Sequence, residues 1–296
     1  MFDNFQPFNI KLSPTLTIHG TRSGSGQPLL LLHGFPQTHH IWHKVAPELA
    51  SSYAVVVIDL RGYGKSSKLP SDEKDSHKAY AKSTMAGDCV KVMHELGFEK
   101  FWILSHDRGA RIAHKLAVDY PEKVGKLMML DIAPTLGMFE KTDQELATKY
   151  WHWFFLIQPS PFPENLILNN PEAFKVPFFG GSYAGQKGFM DAEALNEYVA
   201  QFKDEAGVHA MCEDYRAAAT IDLVEQREDR EAGRKIKCPV KVLWGKQGLI
   251  EKKFDCLAEW RAVCENEVSG EAVDSGHYIP EEVPDALLKY AREFFG

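Results

Sequence analysis

The chain has 296 residues, 44% of them hydrophobic, a formal net charge of −7 and a pI near 6.0. That length and apolar content can build one large core, whereas the acidic balance and the absence of any Lys/Arg run argue against a nucleic-acid footprint or a membrane-surface patch. The five cysteines, Cys89, Cys212, Cys238, Cys256 and Cys264, are odd in number and form no C-x-x-C, so buried free thiols are expected, not a disulfide framework or a thiolate metal site.

The first 30 residues lack the basic start and apolar stretch of a secretion signal, and no apolar run reaches 18 residues, so a cytoplasmic protein with no membrane contact is expected. Two strands open the chain, around Asn9–Leu12 and Thr15–Thr21, turning at Ser13-Pro14. Pro28–Leu32 is apolar throughout, as suits a parallel sheet covered on both faces, and it ends in His33-Gly34-Phe35-Pro36. A helix over Ile41–Ala50 and a second continuous strand, Ala54–Ile58, lead into the Gly-rich loop Asp59–Ser66. Thr84–Leu96 reads as a helix stopped by Gly97. Phe101–Leu104 is another buried strand, the helix after it stops before Pro121, and Leu127–Leu130 follows, ending at Asp131. Alternation of this kind predicts a doubly wound α/β sheet, mostly parallel.

After Asp131 the rhythm breaks. From Pro134 to about Gly233 there is no buried strand, only aromatic-rich helical stretches such as Leu146–Leu156, Ala192–Phe202 and Ala210–Ala218. The sheet pattern resumes at Val240–Trp244 and Gly270–Val273, and a helix over Asp285–Phe295 closes the chain. The organisation expected is a core of residues 1–133 and 234–296 interrupted by a helical cap, residues 134–233. Such a cap would lie over the carboxyl ends of the strands, where open α/β sheets bind ligands.

The stretch FWILSHDRGAR, Phe101–Arg111, turns sharply from strand to helix with Asp107 at the tip. A nucleophile on such a turn needs small residues two places before and after it, and Ser105 and Gly109 stand there. The tip is a carboxylate, and no G-x-S-x-G exists in the chain, so this is an elbow built to attack through Asp107. A base is then needed to activate water. His277, on the loop after the last strand, has the position for it, and Asp131, at a strand end, is the acid to orient it. Arg108 and Arg111 are three apart at the start of the elbow helix; beside Asp107 they would keep it ionised, and their two forks suit bidentate capture of a substrate carboxylate. The backbone N–H groups of Phe35 and Arg108 could form an oxyanion hole, while His33 is read as structural. Two tempting motifs fail. Gly64-Lys65-Ser66 lacks the first glycine of a P-loop, and His39 with His43 lacks the glutamate of H-E-x-x-H, so no metal is expected.

The segments LLLLHGFPQT, DLRGYGKSS, HDRGAR, LDIAPT, WHWFFLIQP, MCEDYRAAA and SGHYIPEE, in this order, resemble the fluoroacetate (haloacetate) dehalogenases of the α/β-hydrolase superfamily over nearly the whole chain. The resemblance implies the α/β-hydrolase fold, an eight-stranded, mostly parallel sheet with helices on both faces and an inserted helical cap. It implies hydrolytic dehalogenation of a short 2-haloacid without a cofactor, in a homodimer. The family's nucleophile falls on Asp107, its base on His277, its acid on Asp131 and its carboxylate clamp on Arg108 and Arg111. Its halide donors fall on His152, Trp153 and Tyr215, which the aromatic stripe alone does not single out. The stretch 176–190, with Phe178 and Tyr183, lacks a tryptophan that some members carry near the entrance. Two other readings compete. An epoxide hydrolase shares the Asp nucleophile and a cap tyrosine acid, here Tyr215, but wants an apolar neighbour to the nucleophile and a second cap tyrosine that the sequence does not locate. A non-catalytic small-molecule receptor on this fold would not need Asp107, His277 and Asp131 together.

Overall fold

In the computed structural model Leu29 to Leu32 are all completely excluded from solvent, the condition of a strand covered on both faces. They belong to β3 (Gln27–Leu32), in one sheet with β1 (Gln6–Lys11), β2 (Thr17–Ser23), β4 (Tyr53–Ile58), β5 (Phe101–His106), β6 (Val124–Leu130), β7 (Val240–Gly245) and β8 (Val268–Val273). The order across the eight strands is β1-β2-β4-β3-β5-β6-β7-β8. β1 pairs antiparallel with β2 and β2 with β4, and every other pair is parallel. The α/β architecture expected from the sequence is therefore the one observed. The structure describes residues 1–179 and 188–296, so Tyr183 lies outside the described residues.

Alternate residues of a strand enter different halves of the core, as a period of two requires. Leu30 and Leu32 pack with Ile103, Met129, Ile112 and Leu116 on one face, and Leu29 and Leu31 with Trp42, Leu104, Leu287 and Phe295 on the other. Cutting one of these leucines to alanine leaves a cavity of a kind that costs about 2–5 kcal/mol. All five cysteines are free and buried.

The helices depart from expectation where proline or an aromatic cluster intervenes. Ile41–Ala50 is two pieces, a 3-10 turn at His39–Trp42 and a short helix at Ala46–Leu49. Pro47 opens the second piece, and its ring would collide with the carbonyl of His43 in a continuous helix. Leu146–Leu156 divides at Tyr150 into Gln144–Lys149 and Trp151–Leu156. Ala192–Phe202 is the helix Ala192–Ala200 followed by a 3-10 turn, Gln201–Lys203, and Ala210–Ala218 is part of a longer helix, Glu205–Ala219. Among the described residues between Leu130 and Val240 the only β pairing is the single bridge of Ile236 to Cys264. No described helix is long and apolar enough to cross a membrane.

Candidate active site

β5 ends at His106 and the elbow helix (Asp107–Asp119) starts at the next residue, so Asp107 alone must turn the chain. Its φ is +45°, a left-handed backbone that costs a residue with a side chain about 1–3 kcal/mol. Neighbouring glycines make room for the turn. A Cβ on Gly109 would lie 2.3 Å from the His33 carbonyl oxygen, and one on Gly34 would lie 2.5 Å from the Asp107 Cβ. The buried Asp107 carboxylate sits in the first turn of the helix, where the dipole favours an anion. Its Oδ1 accepts the Phe35 N–H at 2.9 Å, whereas the Arg108 amide, the other donor expected there, makes no hydrogen bond to it. Burial raises the Asp107 pKa, but the charges of His277, His106, Arg111 and Arg108 outweigh burial and hold it below its ordinary value.

Asp131 follows β6 directly and also has a left-handed backbone, φ +52°. Its Oδ1 accepts the Gly245 N–H at 2.9 Å, and its Oδ2 accepts His277 Nδ1–H at 2.6 Å. That bond fixes the tautomer and leaves Nε2 as the basic nitrogen. Burial opposes the charged imidazolium, but the hydrogen bond and charge of Asp131 prevail, and the His277 pKa is raised. The ends of three parallel strands, β5, β6 and β8, thus bring Asp107, Asp131 and the His277 loop together. His106 adds a tie between two of them: its Nε2–H donates to the His277 carbonyl at 2.8 Å, and its ring lies 4.6 Å from the His277 ring. Sequence reasoning passed over His106, which carries no motif. His33 is structural as expected, bonded to the Gly34 carbonyl through Nδ1 and accepting the Leu60 N–H on Nε2.

A small pocket opens onto Asp107, lined also by Phe35, Tyr150, His152, Trp153, Phe178, Tyr215, His277 and Tyr278. His152 stacks on Phe35 with ring centroids 5.8 Å apart, and Tyr215 meets the same ring edge-on at 5.1 Å. Burial lowers the His152 pKa to about 3, so near neutral pH it is an uncharged donor, and burial raises that of Tyr215 well above its ordinary value. Of the three tyrosines on the pocket wall, Tyr150 and Tyr215 come from the segment between β6 and β7, and Tyr150 is the second one there that the sequence did not locate.

The two arginines stand one layer behind that wall. Arg108 lies over the Tyr215 ring at 4.2 Å and Arg111 over the Trp153 ring at 4.8 Å, and both are almost fully buried. The expectation of two free forks needs correction for Arg108. Its Nε and Nη2 already grip Asp214, at 2.9 Å to Oδ2 and 2.7 Å to Oδ1. Asp214 lies 106 residues further along the chain, on the helix Glu205–Ala219, and nothing in its local sequence announces the pairing. Arg111 is different. Its Nη1 donates to Thr135 Oγ1 at 2.8 Å, its Nε has no hydrogen-bond partner, and it makes no ion pair among the described residues. Burial, only partly offset by the Asp107 charge, lowers its pKa to about 10.

Residues 27–284 match the family model described as the alpha/beta hydrolase fold. The chain is 42% identical over 295 residues to a fluoroacetate dehalogenase from Burkholderia sp, covering 99% of this chain and 95% of that protein. It is 30% identical over 286 residues to a soluble epoxide hydrolase from Corynebacterium sp. (strain C12), covering 94% and 93%. Among solved structures, an alpha/beta hydrolase from Nostoc sp PCC 7120 superposes with a TM-score of 0.95 at 48% identity, covering 100% of this chain and 99% of that one.

Proposed function

The chain belongs to the α/β-hydrolase family, in its dehalogenase branch, and from that premise we propose that it hydrolyses the carbon–halogen bond of a short 2-haloacid such as fluoroacetate. Asp107 Oδ2 attacks the halogen-bearing carbon, a C–O bond forms as the C–F bond breaks, and fluoride leaves toward His152, Trp153 and Tyr215. Because a fluoride ion concentrates its charge, preorganised donors matter most for it; one donor of this kind contributes about 3–4 kcal/mol in other enzymes. The product of this step is an ester on Asp107. His277 Nε2 then takes a proton from water, and the hydroxide adds to the ester carbonyl, whose oxygen is the Oδ1 held by the Phe35 N–H. Collapse expels glycolate, its new hydroxyl protonated by His277, while Asp131 stabilises the imidazolium. No cofactor enters this scheme. The reading carries with it a cap over residues 134–233, a cytoplasmic homodimer and a small haloacid as the only ligand.

Arg111 is the observation that carries the proposal. A buried guanidinium with an unpartnered Nε and no carboxylate in ion pair with it among the described residues, close enough to Asp107 for their charges to interact, is costly to bury unless an anion completes it. A substrate carboxylate is that anion, and it would hold the halogen-bearing carbon facing Asp107. One observation favours a second reading: Tyr150 and Tyr215 both border the pocket, as the paired acids of an epoxide hydrolase would. An epoxide has no use for Arg111, however. Incubation with fluoro-, chloro- and bromoacetate, read by halide-selective electrodes, separates the readings. Halide release is expected, no halide from any of the three would overturn the proposal, and diol from a simple epoxide would support the second reading in its place.

A further inference from the structure

Asp214 draws four donors from three parts of the chain. Its Oδ1 accepts Arg108 Nη2 at 2.7 Å and Lys82 Nζ at 2.5 Å, and its Oδ2 accepts Arg108 Nε at 2.9 Å and the Tyr63 hydroxyl at 2.7 Å. Arg108 Nη2 also donates to the Asp214 carbonyl at 2.6 Å. Lys82 has a second carboxylate, Asp222, at 3.3 Å, so its charge is balanced without Asp214, whereas Asp214 is the one carboxylate that Arg108 pairs with among the described residues. The side chains of Arg108 and Asp214 are both almost wholly buried.

We propose that Asp214 is a positioning residue for substrate-carboxylate recognition, fixing the Arg108 guanidinium by a two-pronged ion pair so that one nitrogen, Nη1 with its two N–H groups, remains for an anion. This rests on the haloacid reading of the pocket and deepens it. The fork that arginine ordinarily offers to a carboxylate is Nε with Nη2 or Nη1 with Nη2, and Asp214 occupies the shared nitrogen as well as Nε. Arg108 can therefore meet a substrate only through Nη1, in an orientation set by the helix Glu205–Ala219. Tyr215 is the next residue on that helix, and the guanidinium it stacks on is the one Asp214 holds. Seating the helix thus aligns a pocket donor and an arginine in one step. An unrestrained Arg108 could swing its free fork to the nucleophile Asp107; the ion pair prevents this.

The test compares Asp214→Asn with Lys82→Met, which also breaks a bond to Asp214 but leaves the Arg108 fork in place. Acetate binding by calorimetry is measured first, because it requires no turnover and separates this claim from the dehalogenation reading. Acetate affinity in Asp214→Asn should fall about tenfold, the size of one charge-assisted hydrogen bond. KM for the haloacid should rise by a similar factor with kcat changed far less. Lys82→Met should lower the melting temperature yet keep both constants. Should Asp214→Asn fail to fold, Asp214→Glu, with the fork displaced by one methylene, should show a smaller loss of acetate affinity. Wild-type acetate affinity in Asp214→Asn, or in Asp214→Glu where Asn does not fold, would overturn the proposal, as would equal losses in Lys82→Met. Acetate binding that falls as expected in a protein that releases no halide would support Asp214 and overturn the reaction instead.

Discussion

Asp107, Asp131 and the Phe35 N–H are held by the sheet, whereas His152, Trp153 and Tyr215 are held by helices between β6 and β7, and the two regions fix their groups by different means. On the sheet side the backbone does the positioning. Left-handed φ values at Asp107 and Asp131 and the close approach of Gly109 to β3 set where each side chain leaves the main chain. On the helical side the positioning is by stacking, through Phe35, His152 and Tyr215 and through the two arginines beneath the rings. A backbone-fixed group is suited to bond making, where a misplacement of about 1 Å is costly.

Substitutions on the two sides should break this comparison differently. Asp107→Ala removes the attacking oxygen and should reduce halide release by about 10⁴-fold or more for every halide, measured as initial rate; activity within tenfold of wild type would place the nucleophile elsewhere. Tyr215→Phe removes one donor and leaves the ring. It should slow fluoroacetate by about 10²-fold and bromoacetate far less, since bromide needs less help to leave. Equal losses for both substrates would take Tyr215 out of the halide site and leave it as packing.

The smallest expected effect lies where the two regions are tied. Glu281, buried four residues after His277, accepts Gln37 Nε2 at 2.6 Å from the loop after β3 and the Tyr198 hydroxyl at 3.1 Å from the helix Ala192–Ala200. Burial raises its pKa to about 8, against the opposing pull of Tyr198, Lys44 and Gln37. The folded pKa exceeds the unfolded one, so burial costs nothing at pH below the unfolded value. The cost grows as pH rises between the two and is complete above about 8. Glu281→Gln should therefore gain melting temperature relative to wild type by a few degrees more at pH 9 than at pH 5. A difference that is the same at both would contradict a buried, titrating Glu281.

The same division explains what the sequence could tell. Continuous apolar runs such as Leu29–Leu32 mark buried strands because their neighbours on both faces are apolar, and an elbow announces itself through the small residues its tight turn demands. Asp107, Asp131 and His277 could be picked for that reason, from strand ends alone. The helical side has no such local grammar. His152, Trp153 and Tyr215 stand out only by family resemblance, the break at Tyr150 is invisible within an aromatic run, and the Arg108–Asp214 pair joins residues 106 apart that no spacing rule connects. Of the two forks expected, one on each arginine, that of Arg108 is taken up by that distant partner.

His277→Asn tests the central claim, attack by Asp107 followed by His277-assisted hydrolysis, most directly. With the base gone and the nucleophile intact, one equivalent of fluoride should be released and the ester should persist, so mass spectrometry after fluoroacetate treatment should find an added carboxymethyl group on the peptide that contains Asp107. An unmodified Asp107 peptide after fluoride release, or the group on another residue, would contradict the account.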